Sequence, residues 1–508
     1  MSDELERLAN GVLWPGFFGT TAPAWLRTEL ARGLAGVVYF AQNTGPGLAA
    51  LSDEIRSANP TALIGIDEEG GSVTRLEAAT GSTVPGAAQL GAVDDVEATR
   101  ATGAELARRV RAIGADVLLG PVADVNTDPR NPVIGVRSFG AETALVSRHV
   151  AAEVDGIQSA GVAACVKHYP GHGDTHLDSH HDLPRIELDT DVIRRDHLPP
   201  FRAAIDAGAD AVMTAHIVVP EWGELPATLN PAVLGMLRDG GFDGGSGFDG
   251  VIITDALDMA AVRENFGLGG GAVRALQAGA DLLCIGNPTN PGPAAAGDQD
   301  ERDYRAARDA IVAALEDGSL SRERVAEAAA RVARLAEKLS AARSAESAGD
   351  AADGFDAAGI VRRSLGASED PALAAVPGLA VIDARRRSTL AVDSAGGYVS
   401  AALAEDGWRV RLDTAAADAG ERRRAIAEAV ATADATGFRV VVLVDRIDTD
   451  PAQRELVAEV AEAAPTAAVV NVGLPAGAGA VTLPVIDVRA ASRIGSALAR
   501  ERLVGAGR

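Results

Sequence analysis

Aromatic side chains are scarce in this chain: Trp, Tyr and Phe together make up 4% of its 508 residues. A core of ordinary density must then be built from Ala, Val, Leu and Ile, which the 47% hydrophobic content supplies. Positive charge is also in deficit, with 47 Lys and Arg against 71 Asp and Glu, a formal net charge of −24. Such a balance repels nucleic-acid phosphates and anionic membranes, so neither is an expected partner, and solubility alone accounts for the acidity. Only two cysteines occur, Cys165 in VAACV and Cys284 in DLLCIG. Their apolar settings predict buried free thiols and exclude a disulfide framework. No apolar run approaches the roughly 20 residues of a membrane span. The acidic start, MSDELERLAN, has no apolar segment of the kind a secretory signal carries, so a cytoplasmic location is the expectation.

What the chain does have is alternation. Short apolar runs occur at Gly11–Phe17, Gly36–Phe40, Ala62–Asp67, Asp116–Leu119, Val162–Lys167, Ala209–Thr214, Val251–Asp255 and Asp281–Gly286. Several are rich in Val and Ile with little polar alternation, as suits parallel strands covered on both faces. Helical stretches lie between them, among them Val96–Ile113, Ala141–Ala160 and Val192–Ala207. Eight strands alternating with helices point to a (β/α)8 TIM-type barrel, although an open doubly wound sheet gives a similar pattern. The helix Ser321–Ala342 starts on a capping serine and ends the barrel, placed at residues 1–342. Residues 343–354, rich in small and acidic side chains, read as a linker. Residues 355–508 read as a smaller α/β sandwich domain, with apolar runs at Leu379–Ile382, Val440–Val444 and Ala467–Val472. None of these runs leads into a G-x-G-x-x-G fingerprint, so a nucleotide site is unsupported there. The repeat GFDGGSGFDG at 241–250 reads as a tolerated loop lengthening.

Barrels of this kind build their active sites at the C-terminal ends of the strands. Here those ends carry polar groups: Asp67 closes the third run, Lys167 and His168 close the fifth, and Asp255 closes the seventh. Five of the eight histidines, His168, His172, His176, His180 and His181, fall in KHYPGHGDTHLDSHHDLP at 167–184. His172, His176 and His180 are spaced by four, as metal ligands on one helix face would be. Pro170, Gly171 and Gly173 argue against such a helix. A barrel metallohydrolase would also usually carry His-x-His on its first strand, which is absent. No metal or organic cofactor is therefore expected. The other reading is acid–base chemistry, since an imidazole exchanges protons near neutral pH and Asp178 is spaced to fix the tautomer of His180. Asp255 can then be the nucleophile, because a carboxylate at a strand end can attack an anomeric carbon.

Together these segments resemble family 3 glycoside hydrolases, in particular the β-N-acetylglucosaminidase (β-N-acetylhexosaminidase) branch. The resemblance covers about the first 340 residues and rests on IDEEGGSVTRL, NPVIGVRSFG, KHYPGHGDTHLDSH and VIITDALDM. It implies Asp255 as nucleophile, His180 as general acid/base and Asp178 as its partner. It also implies that Asp67, Arg75, Arg137, Lys167 and His168 bind the sugar, through charge-assisted hydrogen bonds to ring hydroxyls. His181 directly follows His180, which leaves open which imidazole faces the sugar. The implied function is a retaining exo-β-N-acetylglucosaminidase acting on a small carbohydrate, such as a cell-wall fragment in peptidoglycan recycling. A phosphorylase is the near alternative, since a neutral imidazole does not repel a phosphate dianion as an ionised carboxylate would. A plain β-glucosidase would usually take a Glu acid/base from the second domain. A non-catalytic sugar-binding barrel is the alternative outside enzymes. The oligomeric state is not legible.

Overall fold

The structure is a computed structural model, and the residues described are 2–175, 183–241, 245, 247–344, 354–365, 375–386, 396–475, 477 and 481–505. The stretch 345–353 of the linker lies outside them, as do residues 242–244 and 246 of the GFDG repeat. The chain divides into two compact units that are not simply its two halves. One comprises residues 1–68, 99–131 and 141–355; the other comprises 69–98, 132–140 and 356–508.

The first unit is a barrel of eight parallel strands: β1 (Leu13–Pro15), β2 (Gly36–Tyr39), β3 (Leu63–Ile66), β4 (Val117–Leu118), β5 (Ala163–Tyr169), β6 (Ala211–Thr214), β7 (Val251–Ile253) and β8 (Leu283–Gly286). Strands β2 to β7 pair in sequence order. The bridge Ile253–Leu282 joins β7 to β8, and β8 pairs with β1. The amide of Ala35 donates to the Asn10 carbonyl at 2.9 Å, linking the approaches to β1 and β2. Every strand residue is buried, which is why these runs lack polar alternation. The run 192–207 is two helices, Thr190–Asp196 and Pro199–Asp206, not the single helix its periodicity predicts. Pro199 and Pro200 have no amide hydrogen to continue the first helix, and they suit the opening turn of the second.

The last helix of this unit, Arg322–Ser344, shuts the N-terminal end of the barrel. Val332, Leu335, Ala336 and Leu339, spaced as one helix face, join a core cluster with Trp14, Val38, Leu63, Val117, Ala163, Ala211 and Ile253. Its basic residues meet carboxylates that stand just before alternate strands. Arg324 reaches Asp281 at 2.5 Å and Lys338 reaches Asp210 at 2.6 Å, while Arg343 pairs with Asp116. Arg331 lies 3.5 Å from Asp281 and Arg238 lies 2.5 Å from it. Asp116 and Asp281 also accept the amides of Ile64 and Ile252, at 3.0 and 3.1 Å. Ser321 caps the helix by accepting the Arg324 amide at 3.2 Å.

The second unit is a five-stranded parallel sheet between helices. Its strands are β9 (Leu379–Asp383), β10 (Trp408–Arg411), β11 (Arg439–Val444), β12 (Ala468–Asn471) and β13 (Val485–Asp487), in the order β10-β9-β11-β12-β13. Alternate residues feed two cores, as period-two geometry requires. Leu379, Val381, Val441 and Leu443 face one, while Ala380, Ile382, Val440 and Val442 face the other. The edge strands β10 and β13 escape the reading of apolar runs. Segments 69–98 and 132–140 belong to this unit. The Ala491 amide donates to Ser72 Oγ at 2.8 Å, and Gln89 Nε2 donates to the Val488 carbonyl at 2.9 Å.

Candidate active site

Four of the candidate residues stand at strand ends of the first unit, and β5 carries two of them. Lys167 is 2% exposed, and its Nζ donates to Asp67 Oδ1 at 2.7 Å, directly after β3. The backbone holds Lys167 from the β4 side: its amide donates to the Pro121 carbonyl at 3.0 Å, and its carbonyl accepts the Ala123 amide at 2.6 Å. A lysine so buried keeps its charge only beside an anion, and Asp67 supplies one.

His168 is fixed by Asp124, a residue that reading by strand ends passes over. Asp124 is fully buried, and its Oδ2 lies 2.7 Å from His168 Nδ1. Its Oδ1 accepts the amides of His168 at 3.2 Å and His172 at 2.7 Å. Burial alone would push this carboxyl up, but the His168 ring and these donors hold it below the ordinary carboxylate range. An ionised Asp124 assigns the proton of His168 to Nδ1, which leaves Nε2 as an acceptor in the neutral ring. His172 is 2% exposed, with Nδ1 3.1 Å from Thr175 Oγ1. Burial lowers it to about 4, against the opposing pull of Asp124, so its ring is neutral at neutral pH. The close packing of PGHG needs its second glycine: a Cβ on Gly173 would sit 1.8 Å from the Val125 carbonyl oxygen.

Asp255 follows β7 by two residues, and its Oδ1 accepts the Ala256 amide at 2.7 Å. Its field reaches His172 and both buried thiols, and Asp67 acts on the same two thiols. Burial, with these carboxylates, pushes Cys165 up to about 12 and Cys284 well above its ordinary value. Both cysteines are free, as their apolar contexts predict, and both are inert as thiols at neutral pH. Three residues beyond Asp255, Asp258 is 3% exposed and accepts from Asn290 Nδ2 at 2.8 Å. Burial raises its carboxyl well above the usual range.

Arg75 and Arg137 belong to the second unit. Arg137 forms a two-point pair with Glu69, at 2.9 and 2.8 Å, and donates to the Val133 carbonyl at 3.1 Å. Glu69 lies on a tight hairpin, Glu68–Gly70 with Val73–Thr74. Gly70 and Gly71 turn it with φ of 72° and 54°, and a Cβ on Gly70 would meet the Pro85 carbonyl oxygen at 2.3 Å. Asp178 and His180, with His176 and His181, lie outside the described residues. Among the described residues no group of three or more His, Cys, Asp or Glu could hold a metal ion, and no helix is long and apolar enough to cross a membrane.

The family profile described as Glycosyl hydrolase family 3 N terminal domain matches residues 29–335, more than half of the chain. The chain belongs to glycosyl hydrolase family 3. Two of its relatives are named β-hexosaminidases. One, from Pseudoalteromonas piscicida, is 32% identical over 63% of this family 3 chain and 56% of its own length. Another, from Mycobacterium tuberculosis, is 36% identical over 46% of this chain and 61% of its own. The chain thus spans a little over half the length of these two curated relatives. A solved family 3 β-N-acetylglucosaminidase from Paenibacillus sp. str. FPU-7 is 30% identical, covers 99% of this chain and 96% of its own, and superposes with a TM-score of 0.80. The likeness includes both the barrel and the α/β domain that follows it.

Proposed function

We propose that this family 3 chain is a retaining, exo-acting β-N-acetylglucosaminidase. The observation that carries the proposal is the placing of Asp255 just after β7, with its Oδ1 held by the Ala256 amide, in the same barrel whose β3 and β5 ends bear the paired Asp67 and Lys167. The β-hexosaminidase names of the relatives support an N-acetylated amino sugar as the substrate class. In the first step an Asp255 oxygen attacks the anomeric carbon while the bond to the leaving oxygen breaks. His180, as the imidazolium, gives that oxygen its proton and becomes neutral, while Asp178 stabilises the charged form and fixes which ring nitrogen keeps its hydrogen. Water then attacks the glycosyl-enzyme, gives its proton to His180 and releases Asp255. Lys167, Asp67 and His168 hold ring hydroxyls by charge-assisted hydrogen bonds, and we assign Arg75 and Arg137 the same task. The roles of His180, Asp178, Arg75 and Arg137 rest on the resemblance of their motifs. The natural substrate we propose is a cell-wall fragment ending in β-linked N-acetylglucosamine.

The test is to compare hydrolysis of aryl β-N-acetylglucosaminide and aryl β-glucoside, following the anomer first released by NMR. Faster cleavage of the N-acetylated sugar with β-product formed first is expected. An α-product first would overturn the retaining mechanism, and absence of cleavage would overturn the activity. Repeating the assay with millimolar phosphate distinguishes a phosphorylase, which releases the sugar 1-phosphate.

A further inference from the structure

The loop that carries Asp255 is pinned from two sides. On the β8 side the pins are backbone: the amides of Leu257 and Asp258 donate to the carbonyls of Cys284 and Ile285, at 2.9 and 3.2 Å. On the β6 side the pin is a side chain. His216, fully buried two residues past β6, places Nε2 2.9 Å from the carbonyl oxygen of Ala256. A carbonyl oxygen only accepts, so Nε2 carries the hydrogen. This holds in the neutral ring and in the imidazolium, so the bond does not depend on protonation of the ring.

The other end of the ring is equally fixed. His216 Nδ1 lies 2.9 Å from Thr228 Oγ1, and that hydroxyl is 2.8 Å from Thr214 Oγ1 and 3.0 Å from the Ala215 carbonyl. The turn bearing Thr228 is itself tied back, with the Ala227 amide on the Ile217 carbonyl at 2.8 Å. The imidazole is therefore a strut between two barrel strands. At its far end, Ala256 offers its carbonyl to His216 and its own amide to Asp255 Oδ1 at 2.7 Å.

We propose that His216 is the positioning residue of the nucleophile: it fixes Ala256, and through the Ala256 amide it sets the direction of the Asp255 carboxylate. It touches no reacting atom. This inference rests on the reading of Asp255 as nucleophile. Misplacing a reacting group by about 1 Å can cost roughly 100-fold in rate, which bounds the effect expected here.

The experiment compares His216→Gln with His216→Asn on two aryl β-N-acetylglucosaminides, one with a good and one with a poor leaving group. Gln brings an amide N–H to the position of Nε2, whereas Asn is too short to reach Ala256 and keeps only the Thr228 side. Gln should retain kcat within a few-fold of the unmodified enzyme. Asn should lose roughly 10- to 100-fold in kcat, with KM little changed and the same loss in the glycosylation step for both leaving groups. Equal activity of the two variants, or a loss confined to the poor leaving group, would overturn the proposal. Thermal midpoints are recorded alongside, and a fall in midpoint matched by unchanged kcat in His216→Asn would make the role purely structural. Asp255→Ala is the control. If it is inactive while His216→Asn is normal, only the strut is wrong; if it is active, the nucleophile is wrong.

Discussion

Removing Asp281 should unfold the barrel far more readily without touching its chemistry. This carboxylate is fully buried and is approached by three guanidinium groups, those of Arg238, Arg324 and Arg331, whose side chains are 10–20% exposed. It also accepts the Ile252 amide. Two unit charges about 4 Å apart interact by roughly 4 kcal/mol at an effective dielectric of 20. Much of that sum offsets the cost of dehydrating the ions. Taking away one partner of a buried pair nonetheless costs about 3–5 kcal/mol, because the charge left behind has nowhere to go. Asp281→Ala leaves three such charges together, so the upper part of that range applies. Asp281→Asn keeps an acceptor for Ile252 and should fall lower. Lys338, tied to Asp210 by the same helix but 58% exposed, provides the contrast: Lys338→Ala should cost about 1 kcal/mol or less. The assay is thermal unfolding followed by tryptophan fluorescence, with Trp14 reporting from inside the barrel core. At about 2 °C per kcal/mol, Asp281→Ala should lower Tm by roughly 8–10 °C and Lys338→Ala by no more than about 2 °C. Activity below the transition should be unchanged, since these residues precede their strands and the site follows them. Equal losses for the two variants would refute the claim that buried charge at this end holds the helix in place.

Four further outcomes are expected. Asp124→Asn should cut kcat/KM by about 10- to 100-fold, because the amide no longer fixes the proton of His168 on Nδ1; steady-state kinetics on an aryl N-acetylglucosaminide checks this. His172 should make the protein acid-labile: its value in the fold, about 4, lies below the 6.5 of the unfolded chain, so the unfolded chain binds the extra proton between them. Stability present at pH 7 is then lost as pH falls from about 6.5 towards 4, by roughly 3 kcal/mol, and urea titrations of His172→Gln should show a flatter profile over that window. Asp178→Ala and His180→Ala should slow glycosylation with losses that do not add in the double variant and that shrink for very good leaving groups; additive losses would break up the pair, and a matching defect in His181→Ala would move the role to that ring. Prolonged chelation should leave turnover unchanged, and a loss restored by zinc would return the histidine segment to metal chemistry.

The barrel is legible because its strands are continuous apolar runs that end in charge. Asp67, Lys167, His168 and Asp255 stand where such runs stop, and a strand end is a place that sequence alone can mark. The edge strands of the second unit are not legible in the same way. Trp408–Arg411 alternates half-buried with exposed residues, and Val485–Asp487 is three residues long, so neither presents an apolar run. Asp124 and His216 were harder for another reason. Their meaning lies in partners 44 and 40 residues away, His168 and Ala256. A signal was nevertheless present: each is an ionisable residue inside an apolar stretch, LLGPVADV and AVMTAHIVV. Such a residue is rarely buried without a specific partner. The same reasoning applies to the final helix, whose Arg324, Arg331 and Lys338 repeat every seven residues beside the apolar stripe.

The division of the molecule into units has a consequence for how it can be taken apart. A domain is often treated as a length of gene, to be expressed between two chosen codons. Here the polypeptide passes from one unit to the other after residues 68, 98, 131, 140 and 355, so no single cut separates them. A fragment ending at residue 355 would carry Ser72 and Gln89 without the backbone groups of Ala491 and Val488 that they bind. A fragment starting at 356 would lack the helix Ala87–Val93 that packs on its own first helix, Ala357–Ser364. During synthesis the early segments leave the ribosome hundreds of residues ahead of the sheet they complete. The second unit is thus finished by parts of the chain made first, and the two units are a single object for expression and for selection.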